Sequence, residues 1–307
     1  MKYSAVVVAA CLASFQVAVA QEDVSDMARC SSQSLFSPSE RIANCTALLH
    51  AAQGSPKYRA ALYINRGMAY RESNQLELAI ADYTEAIKLV PTYTAALVNR
   101  GIAYRAKRAF DLAINDYASA ISIDPSNPYA FSNRANAYAE ERKYNLAIAD
   151  YSQAIRLEPT NARTLVNRGV SYDAIGEYDL AISDYSAAIR IDPQDGDAFN
   201  GRCFVHAEKE ELSRAIADCD KAVGLRPHSA EAWDSRGYAH LKLGNYQRAI
   251  DDYTEALRLS PDMARSLYAR GVVKLRMKVL DGRMDIARAL ALNPKVAAEL
   301  ARLGIRQ

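Results

Sequence analysis

Between residues 60 and 93, small or apolar side chains recur at steps of three and four. They are Tyr63, Gly67 and Tyr70, then Leu76, Ala79, Ile80, Tyr83, Ala86 and Ile87. This spacing gathers each set on one face of a helix, so two amphipathic helices are predicted. The polar stretch Glu72-Ser73-Asn74-Gln75 between them reads as a turn. Pro91 ends the second helix, because it has no amide hydrogen to extend the ladder and it restricts the residue before it. A single hairpin of this kind cannot bury both of its apolar faces, so neighbours must stack on it.

The pattern then repeats. Pro91, Pro125, Pro159, Pro193, Pro227 and Pro261 stand at a constant step of 34 residues, and Ala79, Ala113, Ala147, Ala181, Ala215 and Ala249 keep the same phase. So does the nearly all-small series Gly67, Gly101, Ala135, Gly169, Cys203, Gly237 and Gly271. In an antiparallel hairpin turning near residue 74, Gly67 and Ala79 come to the same height and let the helices approach closely. Units run 60–93, 94–127, 128–161, 162–195, 196–229 and 230–263, with a shortened seventh from Ala264 to Pro294. That last unit has Lys274 in a tyrosine place and Gly282 in an alanine place.

Trp233, Gly237, Ala249, Tyr253, Ala256 and Pro261 resemble the tetratricopeptide repeat signature, as do Tyr63, Gly67, Tyr70, Ala79, Tyr83, Ala86 and Pro91. The resemblance implies an all-α, right-handed superhelical solenoid of about seven helical hairpins, with the first helix of each lining a concave groove. The stretch Ser39–Leu49 carries Ile42, Cys45, Leu48 and Leu49 at helical spacing and is expected to cap the front of the array. A final helix over Lys295–Leu303 is expected to cap its end. The expected layout is a signal peptide at 1–20, a cysteine-bearing cap at 21–59, the repeat array at 60–294 and a capping helix at 295–307.

Lys2, the apolar run to Val17 and the small-x-small end Ala18-Val19-Ala20 read as a secretory signal cut after Ala20. The chain also resembles bacterial exported tetratricopeptide proteins, so a periplasmic or secreted location is expected. Val8-Ala9-Ala10-Cys11 offers a second reading, a lipid anchor at Cys11. No segment of the mature chain reads as a membrane span. The formal net charge is only +2 and no basic block occurs, which argues against nucleic acid as a partner.

Export leaves Cys30, Cys45, Cys203 and Cys219, an even number that suggests disulfides. Short separations favour Cys30 with Cys45 and Cys203 with Cys219. The second pair falls where the repeat has a small residue facing a tyrosine. An alternative reading makes Cys203, His206, Cys219 and His240 a tetrahedral zinc site; the disulfide is the preferred reading, and no metal or other cofactor is expected.

Arg66, Arg100, Arg134, Arg168, Arg202, Arg236 and Arg270 form an unbroken series. Asp82, Asp116, Asp150, Asp184, Asp218 and Asp252 follow their arginines by a constant distance, and Asp285 takes that place in the short unit. A ladder of partly buried ion pairs within or between units is predicted, since a buried guanidinium needs a carboxylate. The resemblance places Asn65, Asn99, Asn133 and Asn167 on the groove, where amides can hold an extended main chain. One turn farther on, Met68, Ile102, Asn136, Val170, Phe204 and Tyr238 make a mostly apolar strip of the kind that marks an interaction surface. Charges on this side change along the chain, from Arg71 and Arg105 to Asp173, Asp197 and Asp234 and then Arg265 and Arg276.

No phosphate-binding glycine loop, serine nucleophile elbow or zinc-protease helix motif is present, and His50, His206, His228 and His240 are scattered. The sequence therefore points to a non-enzymatic scaffold that holds an extended peptide or protein partner. The alternative is a structural component of the cell envelope.

Overall fold

A computed structural model describes residues 27–31, 35–51 and 54–306. The expected signal sequence, its cut after Ala20 and the candidate anchor Cys11 lie outside them. Every regular element among the described residues is a helix. The chain divides into two compact bodies, one ending at Lys143 and the other beginning at Tyr144.

In the first body a lone helix, Pro38–His50, precedes the hairpins Pro56–Glu72 with Leu76–Leu89 and Thr94–Ala106 with Phe110–Ile123. Pro128–Glu140 completes it. The second body opens with Tyr144–Leu157 and continues with four hairpins. These are Ala162–Ala174 with Tyr178–Ile191, Gly196–Glu208 with Leu212–Leu225, Ala230–Lys242 with Tyr246–Leu259, and Ala264–Arg276 with Gly282–Leu292. The leading helix of each repeat is called A and the second B, numbered A1 to B7 from Pro56. The array is therefore a run of paired helices at the expected period.

Local signals explain the boundaries. Ser37 caps the first helix through a reciprocal bond with Glu40. Asn127, Asn161, Asp195 and Ser229 cap A3 to A6 in the same register. The turn between A and B always passes through one left-handed residue: Asn74, Arg108, Arg142, Gly176, Glu210, Gly244 or Lys278. Only two of the seven are glycine, so the other turns carry a backbone cost of order 1 kcal/mol that packing must offset.

Tyrosine rings set the helix spacing inside a hairpin. A Cβ added at Gly67 would lie 2.7 Å from the Tyr83 ring, and one at Gly101 would lie 2.6 Å from that of Tyr117. The same holds for Gly169 against Tyr185 and Gly237 against Tyr253. In repeat 5 this glycine–tyrosine contact is exchanged for a covalent one. Cys203 and Cys219, with Cα atoms 5.2 Å apart, form a disulfide, and a second joins Cys30 to Cys45 in the first body.

The arginine series makes a clamp with three arms. In A4, Arg168 donates from Nε and Nη2 to the two carboxylate oxygens of Asp184 on B4, at 2.7 and 2.8 Å. Its Nη1 donates to the hydroxyl of Ser152 on B3, at 2.9 Å. Arg66 holds Asp82 and Thr46, Arg100 holds Asp116 and Thr84, Arg202 holds Asp218 and Ser186, and Arg270 holds Asp285 and Thr254 in the same way. Arg236 reaches Asp252 and, in place of a hydroxyl, Asp220. In each of these hairpins one arm thus closes the pair and the other ties it to the preceding helix, the lone helix Pro38–His50 for the first and a B helix for the rest. Arg134 belongs to the first body and Asp150 to the second.

The last helix is shorter than its sequence implies, Val296–Ala301 rather than Lys295–Leu303. Gly304, at φ +78°, is the reason. Its amide returns to the Ala301 carbonyl and that of Ile305 to the Leu300 carbonyl, the paired bonds of a glycine-terminated helix.

Two measurements test this frame. In a double-mutant cycle on Arg168→Ala and Asp184→Ala, the coupling should exceed the 0–1 kcal/mol of an exposed pair, with each single change costing about 3 kcal/mol. Denaturant titration of the four proteins reads both. In repeat 5, Cys219→Tyr alone should lose at least about 2 kcal/mol, since the new ring meets the Cys203 side chain. Adding Cys203→Gly recreates the glycine–tyrosine contact and should recover most of that loss, measured as a thermal midpoint.

Candidate functional site

Within each body, successive A helices touch one another, whereas among the described residues no two B helices do. The A helices therefore form the inner, closely spaced side and the B helices the outer one. In the second body the inner side carries a built cluster of aromatic and charged groups.

Asp234 on A6 anchors it. This residue is buried; it accepts a 2.6 Å bond from the Ser266 hydroxyl and pairs at 2.9 Å with Nε of Arg265, both on A7. So held, the Arg265 guanidinium lies over the rings of Phe204 at 4.8 Å and Tyr238 at 5.8 Å. Those two rings, on A5 and A6, have centroids 5.4 Å apart. The Tyr238 hydroxyl donates to Glu208 on A5 and also lies 3.2 Å from the carbonyl oxygen of Leu303. Farther along, Arg276 donates to the carbonyl oxygen of Arg306 at 3.3 Å. The chain past the last helix is thus received on the inner side through the Arg306 carbonyl and the buried Ile305 side chain, with Leu300 buried on the helix before it.

A cavity of about 410 Å³ opens beside this cluster, bounded by A4, A5, the start of A7 and the C-terminal segment. Asp173 lines it together with Tyr178, Phe204, Glu208 and Arg265. Burial pushes the Asp173 carboxyl up to about 6, helped by the Glu208 charge and opposed by Arg265. Arg265 is paired through Nε with Asp234, and no ion pair between it and Asp173 occurs among the described residues.

The residues expected on the groove fare differently from one another. Val170 is 52 % exposed on A4, and Met68, Ile102, Asn136 and Phe204 are half-buried on their A helices. Tyr238, expected to face a partner, is fully buried under the C-terminal segment. The amides of Asn99 and Asn133 donate back to Ala95 and Tyr129 in their own helices, at 2.9 and 2.8 Å, and that of Asn65 points to the Met27 sulfur. Asn167 keeps the same register on A4. Gly201 takes the asparagine place in repeat 5 because the Tyr185 ring fills it, 2.5 Å from where a Cβ would stand.

Cys203 and Cys219 are spent on each other, and His206 is bonded through Nδ1 to Glu211 at 2.8 Å. The zinc reading thereby loses both of its thiolates, and no other cluster of metal-ligand side chains occurs among the described residues. Sequence reasoning missed Glu208 as a site residue, and the Asp234–Arg265–Ser266 link with it. The signal available was a buried-type position occupied by aspartate, where earlier repeats have Ile64, Val98 and Val166.

Models of the tetratricopeptide repeat match residues 67–107, 101–141, 132–196 and 204–274, together more than half of the chain. The protein belongs to the tetratricopeptide repeat family. Proteins of this family mediate protein–protein interactions and are typically not enzymes. No curated protein matches the sequence. Among solved structures, a chain of the APC/C hetero-tetramer Cut9–Hcn1 matches 88 % of this chain at 22 % identity and a TM-score of 0.67. This chain spans about half of that one, 53 % of its length. A tetratricopeptide repeat protein from Parabacteroides merdae matches at 22 % identity over 80 % of this chain and 92 % of its own, with a TM-score of 0.59. YrrB, described as a tetratricopeptide protein with an unusual peptide-binding site, matches at 24 % identity over 61 % and 95 %, with a TM-score of 0.50. At these identities the likeness is one of fold. Among the described residues of this tetratricopeptide repeat protein, no helix is long and apolar enough to cross a membrane.

An acid whose folded value is raised holds its proton more tightly in the folded chain than in the unfolded one. Stability is therefore lost as pH climbs from about 4 through about 6, where Asp173 ionises without a bonded counter-charge. Asp173→Asn should raise stability by about 1 to 2 kcal/mol at pH 7.5 and leave it unchanged near pH 4. Thermal midpoints of both proteins across that range provide the check.

Proposed function

We propose that this protein is a non-enzymatic scaffold whose inner, A-helix side holds an extended segment of a partner protein. The observation that carries the reading is the reception of the chain's own C-terminal segment there. There the Arg276 guanidinium donates to the main-chain carbonyl of Arg306, a group that any extended partner also offers. The exposed Val170 and the half-buried strip before it extend the same kind of surface along A4 and, in the first body, along A1 to A3. The description of YrrB as peptide-binding is consistent with such a use of this fold.

Export to the periplasm or outside the cell is part of the proposal, with cleavage after Ala20. Two disulfides suit an oxidising compartment.

A second reading, assembly within the cell envelope through the outer side, has one observation in its favour. Leu78, Leu112, Leu146 and Leu180 recur at the repeat period in the first turns of B1 to B4 and are 46–50 % exposed. A single experiment separates the two. Pull-downs from envelope extract should lose their captured partners with Val170→Glu on the inner side and keep them with Leu112→Glu/Leu146→Glu on the outer side. The reverse pattern would establish the outer leucines as the working surface.

A further inference from the structure

We infer that the cavity between A4, A5 and the C-terminal segment is a subsite for one cationic side chain, an arginine or lysine of the bound partner. The inference rests on the inner-side reading and adds the chemistry of what is recognised there.

The cavity has a carboxylate in need of a cation. The half-buried Asp173 carboxylate has no hydrogen bond or ion pair among the described residues, whereas the buried Asp184, Asp218, Asp234, Asp252 and Asp285 of this body each pair with an arginine. Glu208 contributes a second carboxylate, of which the Tyr238 hydroxyl engages one oxygen. Two such groups facing one cavity repel each other, and a guanidinium or ammonium between them would relieve both.

The walls suit the stem of such a side chain as well as its head. Phe204 and Tyr178 contribute aromatic lining, and Leu300 from the C-terminal segment adds an apolar one. At about 410 Å³ the space exceeds what one long basic side chain fills. Of the two native cations lining the cavity, Arg265 and Arg302, the first is tethered through Nε to Asp234 and stacked on Phe204. It polarises the site without neutralising it.

The groups facing Asp173 across the cavity are Glu208 on A5, Tyr178 on B4, Arg265 on A7, and Glu299 and Arg302 from the C-terminal segment. Of these Glu208 disfavours its ionisation and Arg265 favours it, burial being the larger influence. Cation binding should therefore strengthen between pH 5 and pH 7.5, as Asp173 gives up its proton.

The test uses the full chain, labelled with nitrogen-15, and two probes, Nα-acetyl-arginine amide and its neutral analogue Nα-acetyl-citrulline amide. The arginine probe should shift the amides of Ala174 and Phe204 saturably, and the citrulline probe should leave them in place. Asp173→Asn should weaken arginine binding at least tenfold, and Glu208→Gln by a smaller factor, so that one informative variant survives if the other folds poorly. Equal shifts from both probes, or wild-type affinity in both variants, would overturn the subsite. Its failure leaves the pull-down with Val170→Glu unaffected, so the subsite and the inner-side reading stand or fall separately.

Discussion

Each described arginine clamp uses the geometry of a guanidinium to fix three helices at once. Two parallel donors lock onto one carboxylate, which specifies the angle and height between A and B of a hairpin. The remaining donor points away from that carboxylate, and there the preceding helix supplies a hydroxyl or, for Arg236, the Asp220 carboxylate. A buried charge with only one satisfied edge would destabilise the fold, whereas one satisfied on every edge specifies a single register. The aromatic rings one turn along, such as Tyr70, Tyr104 and Tyr172, lie against the same guanidinium groups and exclude water from them. Repeat spacing in each body is thus set by a polar device inside an otherwise alanine-rich interface.

That division of labour leaves the inner side free to vary. Where the clamp fixes the frame, the inner positions of A helices carry Ile64 or Val98 in one repeat and Asp234 in another without disturbing the stack. In repeats 5 to 7 these variable places have become a connected set, running from Asp234 to Arg265 and on to Phe204, Tyr238 and Glu208. Arg265 is the hinge of the arrangement, because its bond to Asp234 decides which carboxylates it can serve. Asp173 is left out.

The helices, their period and the arginine–aspartate partners were legible because each repeats with a fixed phase, and repetition turns a weak local signal into a strong one. The third arm of the clamp was written in the chain too, as Thr84, Ser152, Ser186 and Thr254 two places after an aspartate. It went unread because Ala118 and Asp220 interrupt the series. The asparagine series misleads for a different reason. A helix-surface amide can satisfy itself on the carbonyl four residues back, as Asn99 and Asn133 do, so recurrence alone does not reserve it for a ligand. The inner-side cluster was least visible, since its members come from three helices and appear once each. Only the three-dimensional return of the chain end, turned by Gly304, reveals that Tyr238 is covered.

An unpaired carboxylate in such a setting has a definite physical meaning. The buried Asp184, Asp218, Asp234, Asp252 and Asp285 of the second body all have arginine donors, so the sequence has ample means to pair Asp173 as well. An asparagine there would remove the repulsion from Glu208 at the cost of one atom's change. Retaining the acid costs stability above its ionisation range, and stability given up at a concave, partly aromatic surface is the usual mark of a group kept for a ligand rather than for the fold. The neighbouring clamp shows what the missing partner must be. A guanidinium is the group this architecture already uses to satisfy an aspartate on two edges, and the cavity offers it a carboxylate, an aromatic lining and room for the stem.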